Sequence, residues 1–210
     1  MKQLKQLGLP SPIFKKVTNK QQDQADKINK TQDLRKRSSY GAQLGIRKSL
    51  SFLYGGLRAS YLFNLFRINL QGKRYAGESM LKSLELRLDT LLVNTRIAQS
   101  FACARQLINH RGIFVNGRSL TKPSYQLQPG DIITLCPSVQ HKTRRNLHSF
   151  LDQHEDPHLE TIMRANLMWY KNTYSEVNYK TLEIVILFPP QQSHFPVKIH
   201  TKNFATVFRR

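Results

Sequence analysis

Arg87, Arg96, Arg105, His110, Arg111 and Arg118 fall within one stretch of 32 residues that contains a single acid, Asp89. Guanidinium groups at that density offer planar forks matched to phosphate oxygens. Ser100, Gln106 and Asn109 between them add hydrogen-bonding groups that fix register without adding charge. The pairings for other chemistry are missing. No Ser-His-Asp or Cys-His arrangement is evident, and Tyr54-Gly55-Gly56 lacks the strand and the Lys spacing of a phosphate-cradling loop.

Metal chemistry is not favoured either. His148, His154 and His158 alternate with Asp152, Glu155 and Asp156, but Pro157 interrupts any helix that would align His154 with His158. A solvated polar loop is expected there, and if it touches a partner that partner is a protein, because the acids repel RNA. Cys103 and Cys136 are too far apart in sequence to make a zinc site without further ligands. Both are expected as small buried hydrophobes. No metal, cofactor or small-molecule substrate is expected.

The whole chain shares the cationic bias. Over 210 residues the formal charge is +20, enough self-repulsion to destabilise a compact monomer unless a polyanion neutralises it. Nucleic acid is the first candidate. A membrane is disfavoured, since the longest apolar run, Leu182 to Phe188, is interrupted by Glu183 and falls well short of the roughly 20 residues a spanning helix needs. No signal or transit peptide is expected, because Asp23, Asp26 and Asp33 follow a start with no continuous apolar stretch.

The elements that must position these cations can be read in order. Residues 1–37 carry ten Lys/Arg against three Asp and end in Arg35-Lys36-Arg37; this is expected as a basic extension, ordered by a polyanion. Leu50, Leu53 and Leu57, then Tyr61, Leu62, Leu65 and Phe66, predict two short helices broken at Gly55-Gly56, with Arg47 and Lys48 on the opposite face. These form a helical domain, residues 38–83. Tyr40, Tyr54 and Tyr125 have the chemistry to stack on bases, but aromatics at such positions more often fill a core, and Trp169 is expected in one.

A module over 84–136 follows. Leu84, Leu88, Leu91 and Leu92 predict one amphipathic helix. Ser100 caps a second helix with inner face Phe101, Ala104, Leu107 and Ile108, ended by Gly112 in the left-handed position. Ile113 to Val115 and Ile132 to Leu135 read as strands, Asn116-Gly117 as a hairpin turn and Pro129-Gly130-Asp131 as a second turn. The fold class is therefore α+β: a helical N-terminal part, then a helix pair packed on a short, mostly antiparallel sheet. The face left over carries Arg87, Arg96, Ser100, Arg105, Gln106, Asn109, His110 and Arg111. With Arg35, Lys36, Arg37, Arg47, Lys48, Arg118 and Lys122 these are the expected RNA-binding residues.

The wording of the module resembles small-subunit ribosomal protein four. The similar segments are Glu85-Leu86-Arg87-Leu88-Asp89, Ala104-Arg105-Gln106-Leu107-Ile108, Val115-Asn116-Gly117-Arg118 and Pro123-Ser124-Tyr125 through Pro129-Gly130-Asp131. Tyr40-Gly41-Ala42-Gln43-Leu44 with Tyr54-Gly55 resembles the segment that precedes the module in that family. Glu176-Val177-Asn178-Tyr179-Lys180-Thr181-Leu182 and Val207-Phe208-Arg209-Arg210 resemble its tail, in wording closest to mitochondrial members.

The resemblance implies a primary binder of small-subunit ribosomal RNA that acts early in subunit assembly, beside neighbouring ribosomal proteins and near where the messenger enters. It implies a mitochondrial matrix location, with a plastid or bacterial cytoplasm as alternatives. It also implies a C-terminal segment, 176–210, whose part from 190 packs back on the helical domain, leaving 137–175 as a variable insertion. Relatives that bind zinc do so through N-terminal cysteines, and residues 1–102 contain none. The rival reading is an RNA-modifying enzyme. Some pseudouridine synthases carry the same module and use an Asp in a Gly-Arg-Leu-Asp setting, but here Leu86 precedes Arg87-Leu88-Asp89, and the residues after Leu135 are too few for a catalytic domain. No enzymatic activity is expected. Asp89 is expected to orient Arg87 or a nearby backbone group.

Overall fold

The computed structural model describes residues 38–70, 76–152, 173–191 and 204–208. Of these, residues 38–70, 76–80 and 204–208 belong to one compact unit and residues 81–152 and 173–191 to a second. Arg35, Lys36, Arg37, His154, His158 and Trp169 lie outside the described residues.

Unit one begins with helix α1, Ser39–Leu53, capped by Ser38, whose Oγ accepts the Gly41 N–H at 3.1 Å. The helix ends where the sequence breaks. Gly55 N–H donates to the Phe52 carbonyl and Gly56 N–H to that of Ser51, which satisfies two orphan carbonyls in the manner of a Schellman motif. Helix α2, Ala59–Leu70, buries Leu62, Phe66 and Asn69. The Asn69 amide is used at both ends: Nδ2 donates to the Leu65 carbonyl and Oδ1 accepts from Ser79 Oγ. Ser79 lies on helix α3, Ala76–Glu85, along which unit one gives way to unit two.

The rest of unit two runs α4 Leu88–Asn94, α5 Phe101–Asn109, β1 Ile113–Val115, β2 Arg118–Ser119, β3 Ile132–Leu135, α6 Pro137–Asp152, β4 Ser175–Asn178 and β5 Glu183–Ile186. Helix α7, Phe204–Phe208, returns to unit one. The five strands form one sheet in the order β2-β1-β3-β5-β4, every neighbouring pair antiparallel. Alternation along the strands buries Ile113, Val115, Ile133, Leu135, Ile184 and Ile186 on one face. Leu88, Leu91, Leu92, Ala104 and Ile108 supply the buried stripe of the helix pair. The fold is α+β.

Two sequence expectations change here. Leu84 and Leu88 do not share a helix: α3 stops at Glu85 and α4 starts at Leu88. Between them Arg87 bridges to Gln126, Leu88 N–H donates to the Tyr125 carbonyl and Leu127 N–H to that of Leu86. A strand-like pairing with residues forty positions on has won the backbone from the helix. Second, residues 175–186 join the module's own sheet through β3–β5 pairing of Ile132 with Val185 and Ile133 with Ile184, so the sheet extends well past residue 136. His148 falls within α6, so it lies on a helix and not in the polar loop expected there.

The hairpin is as the sequence predicts. Asn116 and Gly117 adopt φ of 50° and 77°, the left-handed pair a two-residue type I′ turn requires. Asn116 also holds the third strand, donating from Nδ2 to Asp131 Oδ1 at 2.8 Å and accepting the Ile132 N–H at 2.9 Å.

Candidate RNA-binding surface

The surface is built on α5. Ser100 caps it, Oγ accepting the Cys103 N–H at 3.3 Å, so Ser100 serves the helix end first. Phe101, Ala104 and Ile108 turn inward, which leaves Gln106, Asn109 and His110 exposed on the far side and Arg105 between. Arg111 follows at φ 57°. Its N–H donates to the Ile108 carbonyl and Gly112 N–H to that of Leu107. The left-handed residue of this cap is therefore Arg111, and Gly112 is glycine for another reason. A Cβ there would lie 2.9 Å from Val139 Cγ2 and 3.1 Å from the Leu107 oxygen.

A left-handed conformation costs a residue with a Cβ about 1–2 kcal/mol. The Arg111→Gly variant is accordingly expected to be more stable by about 1 kcal/mol, after glycine's own entropic cost. It should also bind RNA less well. Thermal melting and a binding isotherm on the same preparation check both signs; a destabilised Arg111→Gly would refute the cap assignment. Arg96, φ 63°, holds the same position after α4, its N–H donating to the Val93 carbonyl.

Beneath this surface lies a buried ionic knot. Asp89 is fully buried, and its Oδ1 accepts from Arg87 Nε at 2.9 Å and from the Thr90 N–H at 3.0 Å. Its Oδ2 accepts from Arg87 Nη2 at 2.8 Å and from Arg105 Nε at 3.0 Å. Two guanidinium groups share one carboxylate, so the knot keeps a net positive charge. Arg105 also lies over the Phe101 ring, 5.8 Å to its centroid. Its side chain is 31% exposed, and the combination fixes which way its fork can face.

Arg87 must be withdrawn from the expected contact residues. It is 3% exposed, because the break between α3 and α4 folds it inward onto Asp89. The expectation that Asp89 orients Arg87 is borne out. With both its oxygens engaged and no exposure, Asp89 has no access to a substrate.

The other expected residues divide by place. Arg118 and Lys122 are exposed around the loop after β1. Arg47 and Lys48 belong to unit one, where Arg47 lies between the Tyr40 and Phe63 rings at 5.8 and 5.7 Å. Tyr54 is a core residue at 2% exposure, whereas Tyr40 is exposed and Tyr125 marginally so. Neither cysteine is buried as expected. Cys103 lies beside the exposed stripe of α5, and Cys136 leaves the sheet to start α6, where hydrogen bonds from the Ser138 side chain and backbone hold its thiol pKa below the ordinary value.

Three contacts tie the remaining elements to this surface. Tyr174 Oη donates to Glu85, at 3.2 Å to both the carbonyl and Oε2, and Asn94 Nδ2 donates to the same Oε2 at 2.9 Å. Tyr179 Oη donates to the Thr95 carbonyl at 3.1 Å. Burial of that hydroxyl end pushes the phenol pKa up, and the Arg96 cation pulls it the other way. Sequence reasoning missed the exposed cations of α6, His141, Lys142, Arg144 and Arg145. Their signal was the dense wording His-Lys-Thr-Arg-Arg, set aside with the insertion.

Comparison with known proteins places this geometry. A family model described as the S4 domain matches residues 86–133, from the turn before Arg87 into β3. The chain is 33% identical over 175 residues to small ribosomal subunit protein uS4c of Jasminum nudiflorum, covering 79% of this chain and 85% of that protein. It is 32% identical over 185 residues to uS4m of Marchantia polymorpha, covering 88% and 87%. Against uS4c of Gossypium hirsutum it is 34% identical over 142 residues, covering 68% and 69%.

Proposed function

The chain belongs to the family of small ribosomal subunit protein uS4, and from that premise we propose that it binds small-subunit ribosomal RNA as a structural constituent of a mitochondrial small subunit. Its partners are that RNA and adjacent ribosomal proteins, and its work is in subunit assembly and translation. A plastid subunit is the alternative location. Among the described residues no helix is long and apolar enough to cross a membrane.

The observation that carries the reading is the outer side of α5. Arg105, Gln106, Asn109, His110 and Arg111 occupy successive positions on one rigid helix and its cap, with Arg105 steered from below by Asp89. Such a face contacts backbone phosphates and sets register in one step, since forked donors and neutral amides are interleaved. Arg118, Lys122, Arg96, Arg47, Lys48 and the Arg35-Lys36-Arg37 run supply further positive charge to the same polyanion. An RNA-modifying reading requires an accessible acid, and Asp89 does not offer one.

Filter binding of the full chain to a small-subunit ribosomal RNA transcript, at graded potassium chloride, tests the proposal. The affinity should fall linearly on a log–log plot as salt rises. A variant carrying Gln106→Ala, Asn109→Ala and Arg111→Ala should bind about 10–100-fold more weakly, with the salt slope reduced by about 1. An affinity that is absent, or indifferent to salt, would reject the reading.

A further inference from the structure

Helix α6 starts one residue after β3 and is secured to unit two at two places. At its start, Val139 lies against Gly112 so closely that no Cβ fits between them, and Cys136 N–H donates to the Gly112 carbonyl at 2.9 Å. Farther along, Arg144 Nη2 donates to the Lys180 carbonyl in the β4–β5 turn at 2.9 Å. That same turn presents Tyr179 to the carbonyl at the end of α4. The helix is thus held beside the end of α5 and linked through one turn to the end of α4.

What α6 shows to solvent is cationic. Val139, Gln140 and Thr143 are covered or partly covered, while His141, Lys142, Arg144 and Arg145 are exposed. The ion pairs Arg87–Asp89 and Arg105–Asp89, seen among the described residues, include none of these four. The first acid on the helix is Asp152, two turns past Arg145. Lys142 and Arg145 are like-charged neighbours three apart, a spacing that weakens a helix on its own account. Lys142 also lies in the half of the helix nearer its positive pole, where a cation gains nothing from the dipole. A merely solvated face would be expected to interleave acids, and this one does not.

We propose that the exposed side of α6 is a second RNA contact, which takes phosphodiester backbone contiguous with the stretch held on α5. Lys142, Arg144 and Arg145 supply the charge, and His141 adds a donor. From Val139 to Arg145 the helix rises about 9 Å, so the run continues the footprint of Asn109, His110 and Arg111 beyond the helix pair. Lys180 on the adjoining turn adds to it. The inference rests on the reading of the chain as an RNA binder and assigns that binder a surface outside residues 86–133.

The test is salt titration of the full chain on the small-subunit ribosomal RNA transcript, with His141, Lys142, Arg144 and Arg145 all changed to Gln. The slope should fall by about 2–3, as expected for three lost cations, and affinity near physiological salt by about 10–100-fold. Circular dichroism melting should change little, the loss of the Arg144 hydrogen bond to the Lys180 carbonyl being set against the removal of like-charge repulsion. A wild-type slope and affinity in this variant would overturn the proposal. So would retention of that slope with loss of the variant from sedimenting small subunits, which would give the face to a protein neighbour. Absence of salt-dependent binding by the wild type would instead bring down the RNA-binding reading, and this inference with it.

Discussion

Asp89→Ala is expected to destabilise unit two by about 3–5 kcal/mol, the range for removing one partner of a buried ionic cluster. The variant leaves Arg87 at 3% exposure without its carboxylate, after both its Nε and Nη2 had been bonded to it. Water has little access to that guanidinium to replace the lost bonds, so those bonds no longer offset its desolvation. Arg105 suffers less, since nearly a third of its side chain is exposed, and Arg105→Gln should therefore cost much less than Asp89→Ala. Replacing both partners, Arg87→Met with Asp89→Leu, should recover stability relative to the single change, because the fully buried cation is then gone and only the part-exposed Arg105 has lost that carboxylate. Denaturant midpoints at constant slope measure all three. If Asp89→Ala unfolds within roughly 1 kcal/mol of the parent, the knot is not the anchor described.

In unit one the largest effect is expected from Phe208→Ala, a loss of about 3–5 kcal/mol. Phe208 is 4% exposed and meets three rings, with centroids 5.5 Å from Phe63, 5.5 Å from Phe66 and 5.7 Å from Phe204. Two of these approaches are edge-on and the Phe66 pair is stacked, geometries that add to simple area burial. Phe208→Leu keeps most of the volume and should cost far less. Hydrogen exchange locates the damage: amides of α1 and α2 should lose protection while those of α5 keep theirs. Retained protection in α1 and α2 would contradict the packing of α7 on them.

Much of unit two was legible because local chemistry and tertiary demand agree there. Ser100 caps α5, Ile113–Val115 and Ile132–Leu135 are strands, and Asn116-Gly117 is the turn from Ile113–Val115 into Arg118–Ser119. Where they disagree, the sequence misleads. The spacing of Leu84, Leu88, Leu91 and Leu92 fits a continuous helix, and only the pairing of Arg87 with Gln126 breaks it. That break buries Arg87, which local pattern alone reads as a surface cation.

The sheet's outer half was hidden for a related reason. Ser175 to Asn178 and Glu183 to Ile186 are short and partly polar; the second is a strand through its register with Ile132 and Ile133 some fifty residues away, and the first through its pairing with the second. The site shows the same division. Gln106, Asn109, His110 and Arg111 follow from helical period, whereas the role of α6 depends on Gly112 and Lys180 holding it in place.

The discontinuity of unit one bears on how the chain is made. Helices α1 and α2 leave the synthesising ribosome well before α7, whose Phe208 packs on the rings of Phe63 and Phe66. The usual vectorial order, in which the N-terminal part matures first, is therefore inverted here. Unit two can close once β5 has emerged, while the earlier helices wait with apolar rings uncovered.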